Sequence, residues 1–114
     1  MTKGLSKIWY SIMRKKEKLI YTITTINQDE KCWDSRCVGF YYNKEIAIKT
    51  VEHNCGDIYE CGSYPYAVIE SVGDGLYYIN REEIWFKWNK ASEKYEMLKE
   101  KPEMFNKTCC YGIG

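Results

Sequence analysis

The side chains of this chain best suited to chemistry are flat rings set beside cations and amides. In Ile84-Trp85-Phe86-Lys87-Trp88-Asn89, strand alternation places Trp85, Lys87 and Asn89 on one face and Ile84, Phe86 and Trp88 on the other. The second set reads as core. The first suits a nucleotide-like ligand: the indole stacks on a base, the amide reads a base edge, and the ammonium meets a phosphate. Arg36 precedes Phe40-Tyr41-Tyr42, and Arg81 follows Tyr77-Tyr78-Ile79. A guanidinium fork matches pyrophosphate oxygens, although Arg36 serves equally well as a surface ion-pair partner. The candidate ligand-binding set is therefore Arg36, Phe40, Tyr78, Arg81, Trp85, Lys87 and Asn89.

Eleven tyrosines, four tryptophans and three phenylalanines stand against one histidine, His53, which favours a binder over an enzyme. The sequence has no nucleophile elbow, phosphate-binding loop, zinc-protease helix motif or dinucleotide fingerprint. Cys37 or Cys61 with His53 would make a nucleophile–base pair, but nothing orients a third member. The spacings Cys32-x4-Cys37 and Cys55-x5-Cys61 are looser than the tight pairs that anchor zinc, and Cys109-Cys110 would close a strained ring. The expectation is free thiols, with no metal, no cofactor and no catalytic residue.

The net charge of +1 is unevenly spread. Residues 1–18 hold six basic side chains against Glu17, leaving a mildly acidic body that does not suit duplex nucleic acid. No apolar run approaches a membrane span and no secretory signal is evident, so a cytoplasmic protein is expected.

These residues need a sheet to hold them. Leu19–Ile26 is almost wholly β-branched, aromatic or aliphatic, and Arg36–Tyr42 reads as a second strand with Gly39 at a bulge or close approach. Asn43 is placed to cap a helix over Lys44–Asn54, with Ala47 and Val51 on its inner face and Asn54 and Gly56 as its stop. Further strands are expected at Tyr66–Val72, Ile84–Asn89 and Lys94–Met97, with a short extended piece at Leu76–Ile79 and a helical turn past Pro102. The expected fold class is α+β: a mostly antiparallel sheet of five or six strands with one main helix. Residues 1–18 form a basic terminal segment, frayed or helical, and 19–114 a single domain.

Three stretches carry a resemblance: Arg36-Cys37-Val38-Gly39-Phe40-Tyr41 running into Lys44-Glu45-Ile46-Ala47-Ile48; Tyr66-Ala67-Val68-Ile69-Glu70 before a glycine turn and Leu76-Tyr77; and Ile84-Trp85-Phe86-Lys87-Trp88. Together, over roughly 19–105, they resemble the phage Thoeris anti-defence proteins of the first-described signal-sponge type. The resemblance implies a non-catalytic protein of the host cytoplasm. It would hold a cyclic ADP-ribose isomer unchanged, as a homodimer or higher homo-oligomer, and so keep the Thoeris effector inactive. It also implies an α+β fold and, in some members, a separate site for cyclic oligonucleotides. The alternative is a protein-binding inhibitor that docks exposed aromatics on a host defence enzyme.

Overall fold

The computed structural model describes residues 19–28, 33–74, 82–106 and 111–112. The expected basic segment 1–18 and extended piece at 76–79 lie outside them. Five strands are described: β1 (Ile20–Gln28), β2 (Trp33–Tyr41), β3 (Tyr66–Val72), β4 (Glu83–Asn89) and β5 (Lys94–Met97). They form one sheet in the order β2-β1-β3-β4-β5, and every neighbouring pair is antiparallel. Among the described residues one α-helix, α1 (Lys44–Glu52), lies between β2 and β3 in sequence, so the fold is α+β as expected.

The local signals act where they stand. Asn43 is extended, and its side chain accepts a 3.0 Å hydrogen bond from the Ile46 N–H, satisfying a donor that the first helical turn leaves open. The β1–β2 register shifts between Ile23, opposite Gly39, and Thr24, opposite Cys37, so the bulge falls beside the expected glycine. Ala47 and Val51 are fully buried against Ile23, Ala67, Ile69, Phe86 and Tyr95 on one face of the sheet. Apolar burial of this kind stabilises by about 25 cal/mol per Å² removed from water.

The opposite face is also covered. Ile26, Val68 and Trp85 pack under Phe105 from a 3-10 turn (Glu103–Phe105), with Leu98 and Tyr111 beside them. The described residues after β5 therefore form a second layer on this face. Its end is pinned by a 3.0 Å hydrogen bond from the Gly112 N–H to the buried Glu70 carboxylate. A Cβ on Gly112 would stand 2.9 Å from Thr22 Oγ1 and 3.1 Å from Thr22 Cβ, so only glycine allows this approach to β1. No helix among the described residues is long and apolar enough to cross a membrane.

Gly112→Ala should therefore lift the strap from β1 and lower the unfolding free energy by about 1–3 kcal/mol. A urea titration checks this: a midpoint equal to that of the wild type would show that the close approach contributes nothing.

Candidate functional site

At one end of the sheet, the loop leaving α1 meets the β4–β5 turn. The loop is built from its own side chains. Asn54 Oδ1 accepts from the Tyr59 N–H at 2.9 Å, and Asn54 Nδ2 donates to Asp57 Oδ1 at 3.2 Å. The Cys61 thiol donates to Asp57 Oδ2 at 3.5 Å. The hydrogen bond from Asn54, followed by those from Cys61 and nearby backbone, holds the Asp57 carboxyl below the ordinary 3.8. The same carboxylate pushes the Cys61 thiol up, favouring its protonated form.

This geometry lays the Tyr59 ring on Trp88, with centroids 3.8 Å apart and planes 11° from parallel. Tyr95 meets both rings edge-on, and its hydroxyl donates to the Tyr64 carbonyl. Burial pushes the Tyr95 phenol up, keeping it a donor. Across from the loop, Asn89 Oδ1 accepts from the Ala91 N–H at 2.8 Å, while Asn89 Nδ2 donates to Glu96 at 2.6 Å. Asn89 thus fixes the turn that carries Lys90 and Glu93.

Loop and turn enclose an open depression of about 500 Å³. Asn54, Asp57, Tyr59 and Cys61 line it from the loop, and Trp88, Lys90 and Glu93 from the hairpin. Four of these residues hold left-handed backbone without being glycine: Asn54 (φ 48°), Asp57 (φ 54°), Cys61 (φ 55°) and Glu93 (φ 57°). Such conformations cost an L-residue about 1–2 kcal/mol, and clusters of them are typical of binding sites. Chemically, the depression offers ring edges, one ammonium and carboxylates to a polar ligand. Among the described residues, no group of three or more His, Cys, Asp or Glu is arranged to hold a metal ion.

No protein-family model matches this chain, and no curated protein or solved structure matches it. Its site must be read from its own geometry.

The sequence-predicted set is not gathered in one place. Arg36 pairs with Glu60 at 2.8 Å, which ties β2 to the loop, and it keeps the exposed ion-pair role. Phe40 lies further along β2, half exposed, with Tyr42 edge-on at 5.7 Å. β1 and β3 separate β2 from β4, three inter-strand steps or about 14 Å. Lys87 is exposed, its ammonium 5.9 Å from the Tyr66 ring centroid. Tyr78 and Arg81 lie outside the described residues.

Trp85 requires a correction. It shares a face with Lys87 and Asn89 as alternation requires, but only 3% of its surface is exposed. Phe105 stacks on it at 5.0 Å, Tyr111 meets it edge-on, and its Nε1–H donates to Glu83 at 2.9 Å. The strap leaves this indole no free face for a base. Trp88, assigned to the core, supplies the indole of the depression instead. Its partners Tyr59, Asp57, Lys90 and Glu93 were not singled out from sequence. The available signal was a four-residue connection, Lys90 to Glu93, with no glycine to take its left-handed position.

Trp85→Ala should cost about 3–5 kcal/mol of stability, whereas Arg36→Ala should stay within about 1 kcal/mol of wild type. Denaturant titration of both variants decides between a core and a surface role. Acidification tests Asp57. Its depressed pKa contributes stability that is full above 3.8 and is lost as pH falls through the lower folded value. The stability gap between wild type and Asp57→Asn should therefore shrink as melts are run from about pH 5 to about pH 2. A gap that stays constant would assign the loop's order to other bonds.

Proposed function

We propose that this protein is a non-catalytic phage anti-defence binder that captures a cyclic ADP-ribose-type signal and withholds it from a Thoeris effector in the host cytoplasm. The observation that carries this reading is the make-up of the depression at the loop end of the sheet. It combines a Tyr59–Trp88 stack, an ammonium and carboxylates with a thiol held protonated by Asp57. Rings and charged groups in one concavity suit a ligand with a base, sugars and phosphates. A thiol kept from its thiolate form is a poor nucleophile, so the same groups suit holding better than bond-making. The order and spacing of the three sequence stretches support the same reading.

Sequestration acts by mass action: free signal falls only if the binder is abundant and its affinity rivals that of the effector. A homodimer or higher homo-oligomer would add walls to an open site and raise the ligand's buried area. Phe40 and Tyr42, 51% and 71% exposed and in edge-on contact at the end of β2, offer apolar surface to such an assembly. The same surface supports a second reading, a protein-binding inhibitor that docks these aromatics on a host defence enzyme.

Titration calorimetry of the full chain against a panel of cyclic ADP-ribose isomers tests the capture reading, with heat release and mass analysis of the ligand afterwards. Tight binding to at least one isomer and recovery of its unchanged mass are expected. An altered mass would make the protein an enzyme. Silence across the panel would leave the protein-binding reading.

A further inference from the structure

We infer that Glu93 accepts hydrogen bonds from a ribose cis-diol while Lys90, on the same turn, meets the adjoining phosphate, so that the captured nucleotide keeps at least one ribose diol free. This rests on the capture reading above. The argument starts from backbone strain. Asn54, Asp57 and Cys61 are left-handed, but their side chains bond one another, so the strain is offset inside the loop. Glu93 differs. Its φ of 57° is imposed by the turn, whose N–H(93)···O(89) hydrogen bond is 2.8 Å and whose Asn89 side chain fixes the preceding residues. Glycine fits this position without strain.

Among the described residues, neither the Glu93 carboxylate nor the Lys90 ammonium has a hydrogen-bond or ion-pair partner, although both line the depression. Both side chains are exposed, so water satisfies them, and their shared place on the lining offers them together to a ligand. A carboxylate is an acceptor only, so it asks for O–H or N–H donors and repels a bare phosphate. The nearby ammonium asks for an anion. Hydroxyls beside a phosphate satisfy both, and a ribose diol against a carboxylate is a recurrent solution in nucleotide sites.

The test pairs affinity with stability. Wild type, Glu93→Ala and Glu93→Gly are titrated with the same panel of cyclic ADP-ribose isomers and their 2′-deoxy analogues, and each protein is melted. Wild type should prefer a hydroxylated ligand by about tenfold or more, as charged hydrogen bonds allow. Both variants should lose that preference. Glu93→Gly alone should melt a few degrees higher than Glu93→Ala, because it alone relieves the left-handed strain. Unchanged hydroxyl preference in the variants, with capture intact, would overturn the assignment of Glu93. So would equal melting of the two variants, since the strain that singles out Glu93 would then be absent. A wild type that binds none of these ligands would remove the capture reading together with this one.

Discussion

The pairing of β1 with β3 is the constraint from which the rest of the structure follows. These strands sit at the interior of the sheet, and both faces of their shared ladder are removed from water: Thr22 to Ile26 and Ala67 to Val72 are buried without interruption. A ladder buried on both sides needs two covering layers, because its backbone groups are satisfied laterally and its side chains project both ways. In a chain of 114 residues, α1 supplies one layer and the segment after β5 the other. The buried threonines suit this role, since their branched Cβ favours the strand. The Thr22 hydroxyl donates to the Glu70 carbonyl at 3.4 Å.

With both faces occupied, the strand ends are what the sheet leaves open to a ligand. The β4 alternation shows why. Ile84, Phe86 and Trp88 face α1, and Trp85 faces the strap, so the aromatic strand spends most of its rings on packing. Only Trp88, next to the turn, reaches the margin where the α1–β3 loop crosses it. The strap side carries its own electrostatic cost: Glu70 and Glu83 are direct cross-strand neighbours, and like charges so placed repel. Lys101, 3.1 Å from Glu83 and within 6 Å of the Trp85 and Tyr111 rings, offsets that repulsion from the covering layer. The strap is thus held by charge as well as by apolar area.

Most of the fold was legible because its signals are local. β3 and β5 have the expected bounds, β4 begins one residue early, and α1 starts after its asparagine cap. What alternation cannot convey is which of two faces is covered, because that depends on residues contributed from elsewhere in the chain. Trp85 illustrates this: its face is right and its exposure wrong, because Phe105 and Tyr111 come from 20 or more residues away. Strand order is also non-local, so Arg36 and Trp85 were grouped although two strands separate theirs and they point to opposite faces. The candidate site was less legible still. Tyr59 meets Trp88 only because Asn54, Asp57 and Cys61 adopt backbone that local propensity disfavours.

That last conflict bears on function. A loop that agreed with its local preferences would place glycine or asparagine at its left-handed positions and would be more stable for it. Here a cysteine, an aspartate and a glutamate hold such positions around one shallow depression. The hydrogen bonds from Asn54 and Cys61 to Asp57 account for the loop's own order, but they do not account for a glutamate in the facing turn. A site built this way is preorganised at the expense of fold stability, and preorganisation lowers the ordering cost of binding. Under the proposed capture reading, that exchange favours affinity over robustness. The interior β1–β3 ladder, buried on both faces, supplies the stability margin that lets the strand ends carry it.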